Sequence, residues 1–219
     1  MTPTDLLADV ALFSELTPDE LDELAGASDP QDLRRGDVLF REDDAPDCLY
    51  VVVEGRIAIA KRSIDGRESV VALMESGDLF GEMGLFERLG RSAEARALEP
   101  SRVLVINYDP IRRVYERRPE LLWGVVELLA GRLRTMDVAL ADTVFLDVTG
   151  RTAKRLVEMA GGADEFTLPV TQEELAAMVG ASRERVNKAI ASFVRLGWIA
   201  QADRRYRITD REQLERRAR

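Results

Sequence analysis

Apolar residues change their period twice along this chain. Over residues 4–27 they recur at helical spacing (Leu6, Leu7, Val10, Leu12, Phe13, Leu16, Leu21, Leu24). Thr17-Pro18-Asp19-Glu20, in the middle of that stretch, reads as a helix start: a capping residue, then proline, then acids. From about Gln31 to Asn107 short β-rich runs take over, at 38–40, 48–53, 56–62, 69–74 and 102–107. Turn signals separate them, and Asp65-Gly66 between two alternating runs predicts a hairpin. Gly55, Gly66 and Gly77 fall eleven residues apart, the spacing of even strands folding back on one another in an antiparallel jelly roll. From 110 to about 146 the helical period returns. Val126, Leu129, Leu133, Met136 and Leu140 follow at steps of three and four, the a/d seam of a coiled coil. A buried helix of a monomer gives the same stripe. This helix leaves a β domain and enters a second unit, so the seam predicts a parallel homodimer, with Arg132 and Arg134 flanking it in solvent.

Residues 146–151 mark a hinge. Beyond it the spacing predicts a helix over 151–160, a loop over 161–168 and a helix from Thr171, where Thr171 and Glu174 form a T-x-x-E capping box. That helix stops at Gly180. Ser182 caps the next, which turns Val186, Ala189, Ile190 and Phe193 inward and ends at Gly197. Two helices joined through a glycine turn are the signature of a helix-turn-helix. Strands at 198–201 and 206–209 complete a wing, with Asp203-Arg204-Arg205 at its tip and the arginines placed for backbone phosphates. Residues 215–219 read as a charged, frayed tail. The expected fold class is α+β: an N-terminal antiparallel β-roll over 1–109, a dimerisation helix and hinge over 110–147, and a winged helix-turn-helix over 148–219.

Composition narrows the chemistry. The net charge of −9 looks wrong for a DNA binder, but it is divided unevenly. Residues 148–219 carry 14 basic and 10 acidic side chains, a net of +4, and residues 1–147 carry 17 and 30, a net of −13. The basic part can approach a polyanion that the acidic part repels. One cysteine, Cys48, and no histidine argue against an internal disulfide, a haem or iron–sulfur sensor and a metal site. No nucleophile–base pair points to an enzyme. Apolar runs are short and the first residues lack a basic start, so no membrane span or secretion signal is expected, and the expected location is the cytoplasm.

The segment FGEMGLFERLGRSAEA (residues 80–95) holds the candidate sensor. A cyclic phosphodiester on a ribose needs amides and a cation for its phosphate and an acceptor for its one free hydroxyl. Gly81 permits close backbone approach. Residues 83–86, including Met83 and Gly84, can form one helical turn with amides toward an anion. Arg91 offers a fork of donors, Ser92 a hydroxyl, and Glu82 an acceptor for the 2′-hydroxyl. The plain alternative is a surface pair between Arg91 and Glu87 or Glu94. On the helix from Ser182, Arg183, Glu184, Asn187 and Lys188 share one face. Arginine suits guanine and glutamate suits cytosine N4, while Thr171, Gln172, Ser182 and Arg185 suit phosphates.

Three passages, FGEMGLF…GRSA at 80–93, FLDVTGR at 145–151 and VTQEELAAMVGASRERVNKAI at 170–190, resemble the cyclic-AMP receptor / fumarate-nitrate regulator family of bacterial transcription factors. The resemblance covers nearly the whole chain in order. It implies a homodimer that binds a cyclic nucleotide in each β-roll, reads a symmetric TGTGA-like site in double-stranded DNA and contacts RNA polymerase, with residues 161–165 as one contact by family position. It puts Gly81, Glu82, Arg91 and Ser92 on the ligand and makes Arg183 and Glu184 base readers; Lys188 stands where many members have arginine. The chain departs from the pattern at the base-facing positions, where cyclic-AMP binders carry threonine followed by serine or asparagine. Here stand Met136 and Asp137. An ionised Asp137 only accepts; it can take a proton from adenine N6, or from guanine N1 and N2, which together suit a carboxylate better. Cyclic AMP is the first expectation and cyclic GMP the second. A ligand-independent member with a vestigial pocket is the alternative.

Overall fold

A computed structural model describes residues 2–64, 68–87 and 89–219; the predicted Asp65-Gly66 turn lies outside the described residues. The chain divides into two compact units, residues 1–61 with 71–134, and residues 62–70 with 135–219.

The first unit opens with helices α1 (Pro3–Ala8) and α2 (Pro18–Gly26), separated by a 3₁₀ turn at Ala11–Phe13. Thr2 and Thr17 each close a capping box, on Asp5 and Glu20, with proline in the first turn of both helices. Strands β1 (Ser28–Leu33), β2 (Val38–Phe40), β3 (Cys48–Glu54), β4 (Ile57–Arg62), β5 (Glu68–Met74), β6 (Leu79–Phe80), β7 (Glu94–Ala97) and β8 (Ser101–Asn107) follow, with the single turn α3 (Met83–Phe86) between β6 and β7. They form two four-stranded sheets, β1-β8-β3-β6 and β2-β7-β4-β5. Every described ladder within them is antiparallel.

Strand β3 shows why the roll forms where it does. Cys48, Tyr50 and Val52 face inward, with Phe40, Ile57, Phe80, Ala95, Ala97 and Val103 from both sheets. Leu49 and Val51 face the other way, into a layer made by Leu7, Leu24, Ile111 and Val114. Both faces are covered, so the run CLYVVV is apolar throughout rather than alternating. Helix α4 (Tyr108–Arg117) supplies Ile111 and Val114, and a 3₁₀ turn at Pro119–Leu121 leads into α5 (Leu122–Phe145).

Helix α5 carries two apolar stripes. Val125 and Leu128, after Leu121 in the preceding turn, pack against the first unit's core. The predicted seam is exposed on the single chain, from 41 % at Leu129 to 67 % at Met136.

The second unit continues with α6 (Val148–Ala160), β9 (Glu165–Thr167), α7 (Gln172–Val179), α8 (Arg183–Arg195), β10 (Ile199–Ala202), β11 (Arg205–Ile208) and α9 (Arg211–Arg217). Two expectations are corrected here. The predicted loop over 161–168 contains strand β9, whose Phe166 pairs opposite Tyr206 and makes the wing three-stranded. The predicted frayed tail is helical: Asp210 caps α9, Leu214 is wholly buried, and Arg217 pairs with Asp147. A single apolar residue in seven gives this helix almost no sequence signal.

Candidate functional site

Gly81 begins the turn that carries the first site. Its φ is +81°, and a Cβ there would stand 2.7 Å from the Arg91 guanidinium, so glycine is needed on both counts. Gly84, on α3, approaches so closely that a Cβ would lie 2.4 Å from Pro46 and 2.8 Å from the Tyr108 hydroxyl. Across the cradle the backbone of Arg91 is stapled to the 41–47 loop: its N–H donates to Asp44 (2.9 Å) and its carbonyl accepts from Asp43 (2.8 Å).

Two charged side chains are buried in this cradle, Glu82 at 1 % and Arg91 at 6 % exposure. The guanidinium of Arg91 points inward. Nη1 donates to the Gly81 carbonyl (2.9 Å) and the Tyr108 hydroxyl (3.1 Å), and Nη2 donates to the Cys48 carbonyl (2.7 Å). The Phe40 ring lies under the guanidinium, 4.3 Å from its centroid. Nε is buried with no partner. Among the described residues no carboxylate reaches Arg91, Glu87 and Glu94 included. A buried cation whose partners are all neutral is costly, and an arriving anion relieves that cost. Burial also pushes the Tyr108 hydroxyl up to about 12, so at neutral pH it keeps its proton and can donate to the Gly81 carbonyl. Burial likewise raises the Cys48 thiol, which keeps it a thiol.

Glu82 is held differently. Its carboxylate pairs with Arg132, which also donates to the Leu79 carbonyl (2.7 Å). This corrects the placement of Arg132 in solvent. Arg132 extends the inward stripe of Val125 and Leu128, at i+7 and i+4, rather than flanking the outward seam. That spacing is the signal that finds it; Tyr108 and the Cys48 carbonyl have no such signal. Ser92 and Met83 are exposed at the mouth of the cradle, 3.6 Å apart from hydroxyl to sulfur. Met136 and Asp137 are exposed on α5, one turn beyond Arg132.

The second site is built from local rules. Thr171 and Glu174 close the expected capping box, and Gly180 ends α7 with φ +67°. Ser182 caps α8 by accepting from the Arg185 amide. Val186, Ala189, Ile190 and Phe193 are buried, leaving Arg183, Glu184, Arg185, Asn187 and Lys188 exposed. Lys188 pairs with Glu184 one turn back (2.7 Å) and holds that carboxyl below its ordinary value. Gln172 is turned inward, donating to the Tyr206 hydroxyl (2.9 Å). At the wing turn Asp203 has φ +55°, and Arg204 donates to the Leu168 carbonyl (3.0 Å). Arg205 stays exposed.

Among the described residues no group of three acids or cysteines is arranged to hold a metal ion, and no helix is long and apolar enough to cross a membrane.

Comparisons with known proteins agree with this layout. Residues 30–118 match the model of the cyclic nucleotide-binding domain, and residues 150–217 match that of the Crp-like helix-turn-helix domain. The chain is 38 % identical to a CRP-like cAMP-activated global transcriptional regulator of Mycobacterium tuberculosis, over 98 % of this chain and 99 % of that one. It is 34 % identical to the cAMP-activated global transcriptional regulator Vfr of Pseudomonas aeruginosa, over 71 % of this chain and 78 % of that one. The solved catabolite activator protein of Thermus thermophilus superposes with a TM-score of 0.54 at 28 % identity, covering 95 % of this chain and 98 % of that one. The two matched domains stand in the same order as the cradle and the helix-turn-helix, and they join a likeness that runs the length of both chains: this protein belongs to the cyclic-AMP receptor / fumarate-nitrate regulator family, which consists of transcription regulators and not of enzymes.

Proposed function

We propose that the chain acts as a homodimer that binds double-stranded DNA and regulates transcription under the control of a cyclic purine nucleotide held in the first unit. One observation carries the reading: Arg91 is buried, turned inward and without a negative partner. In this reading Arg91 and Ser92 take the cyclic phosphate, and Gly81, Met83 and Gly84 line the cradle. Glu82 accepts from the ribose 2′-hydroxyl while keeping Arg132 as its partner. Met136 and Asp137 are the base-facing positions by family correspondence. Cyclic AMP is the first candidate because the named relatives are cAMP-activated. Cyclic GMP is the second because an ionised Asp137 can only accept.

The open seam from Val126 to Leu140 pairs two chains. Two copies of α8 then read half-sites resembling TGTGA, about 34 Å apart. Arg183 and Glu184 contact bases; Asn187 and Lys188 lie beside them. Ser182, Thr171, Gln172 and Arg185 serve the phosphates, Gln172 after turning outward from Tyr206. RNA polymerase is the onward partner and the cytoplasm the place of action.

Calorimetric titration of the full chain with each nucleotide tests the reading. Micromolar binding of one nucleotide in preference to the other supports it. Equal, millimolar-weak binding of both removes the nucleotide and leaves a ligand-independent DNA binder, a reading that the internal satisfaction of Glu82 by Arg132 favours.

A further inference from the structure

Four neutral acceptors hold the Arg91 fork: the Gly81 carbonyl, the Tyr108 hydroxyl, and the carbonyl and Sγ of Cys48; Tyr108 and Cys48 both lie outside the FGEMGLF…GRSA passage. Resting on the nucleotide reading above, we propose that Tyr108 is a positioning residue for Arg91: its hydroxyl fixes the guanidinium assigned to the phosphate in the one orientation that leaves its Nε–H unpartnered.

The geometry supports this at each contact. A guanidinium offers five N–H donors in a fixed plane. Here Nη1 donates to the Gly81 carbonyl and the Tyr108 hydroxyl, and Nη2 donates to the carbonyl and the Sγ of Cys48. The Phe40 face at 4.3 Å fixes the plane itself. With the plane and its rotation both set, Nε is left buried and unsatisfied. Tyr108 is itself buried, at 2 % exposure, and protonated, and its own proton goes to the Gly81 carbonyl. Gly81 is next to Glu82, so one hydroxyl orients both the residue assigned to the phosphate and the turn that carries the residue assigned to the ribose. The missing side chain at Gly84 makes room for that hydroxyl. None of the acceptors is charged, so positioning does not neutralise the arginine, as a carboxylate in the place of Tyr108 would.

The test compares the full-length wild type with Tyr108→Phe, Arg91→Lys and the double variant, titrated with cyclic AMP and cyclic GMP. Tyr108→Phe keeps the buried ring and is expected to melt within a few degrees of wild type. It should lose about 10-fold in nucleotide affinity, the scale of one hydrogen bond to a charged group. In the Arg91→Lys background, where there is no fork to orient, the same change should cost less than about twofold. A second readout needs no nucleotide: the Arg91 Nε–H should give one sharp ¹⁵N-correlated resonance in the free wild type, and Tyr108→Phe should broaden it. Unchanged affinity, an equal loss in both backgrounds, an unaltered Nε–H resonance or a variant that does not fold would each overturn the proposal. A wild type with a sharp resonance that binds neither nucleotide would instead overturn the nucleotide reading, and the assigned role of Tyr108 with it.

Discussion

Glu82 and Arg91 are almost wholly enclosed, whereas Arg183, Glu184 and Lys188 stand in water on one face of α8. Both sets recognise phosphate-bearing ligands in the proposed function, but their charges are held in opposite ways. In the cradle the partners come from far along the chain: Arg132 reaches Glu82 across 50 residues, and the Cys48 carbonyl reaches Arg91 across 43. On α8 the partner of Glu184 is four residues away. Enclosure makes charge expensive to leave uncompensated, so a buried site gains selectivity for an anion that fits. An exposed face is screened and adaptable, and it gains its affinity from many weak phosphate contacts on a long polyanion. The chain's charge division, −13 before residue 148 and +4 after, follows the same split.

Four changes break or sharpen this contrast. The largest effect is expected from Arg91→Met. Replacing an uncompensated buried cation by an apolar side chain of similar length should lower nucleotide affinity at least about 100-fold, or ~3 kcal/mol. The free protein's melting temperature should stay level or rise, which differential scanning fluorimetry reads directly. A marked fall in melting temperature would make Arg91 a structural residue. Glu82→Gln should act in the opposite sense on stability, because it strands Arg132 in a partly buried place. A loss of about 1–3 kcal/mol in urea unfolding of the free protein is expected. Arg183→Ala should cost about 1–3 kcal/mol in DNA affinity and relax selectivity at one base pair. An unchanged site preference in a selection from random sequences would remove it from the readers.

The smallest effect is expected at the start of α6, where Asp147 accepts from the Gly150 amide (2.8 Å) and pairs with Arg217. Asp147→Ala should destabilise the second unit by about 1 kcal/mol. The Gly150 hydrogen bond first, and Arg217 after it, hold the Asp147 carboxyl below its ordinary value. Its contribution is therefore fully present above roughly pH 4, the unfolded value, and fades as pH falls through the lower folded one. Urea midpoints of wild type and variant should converge toward pH 2–3; a gap that persists there would contradict the assignment.

The same contrast explains what is legible in the sequence. Thr171-x-x-Glu174, Gly180 and Ser182 act within a turn of themselves, so the helix-turn-helix and its exposed face can be read from residue order alone. Gly81, Glu82 and Arg91 can be named from their motif, but the direction in which Arg91 points cannot, since Phe40, Cys48 and Tyr108 reach it only through the folded roll. Arg132 is half legible: it shares the stripe of Val125 and Leu128, and a seam-based reading of α5 looks at the other side. Strand β1 is hidden for a different reason. Its sequence SDPQDL is polar and mostly exposed, and only its ladder with β8 makes it a strand. Helix α9 is hidden because Leu214 alone carries its burial.

The central claim is that filling the cradle around Arg91 changes how the second unit meets DNA. Fluorescence anisotropy on a labelled symmetric TGTGA-type duplex, at one fixed salt concentration, with and without saturating cyclic AMP or cyclic GMP, tests it most directly. DNA affinity should rise at least about 10-fold with one nucleotide in the wild type and should not respond in Arg91→Met. Equal affinity with and without either nucleotide in the wild type would contradict it.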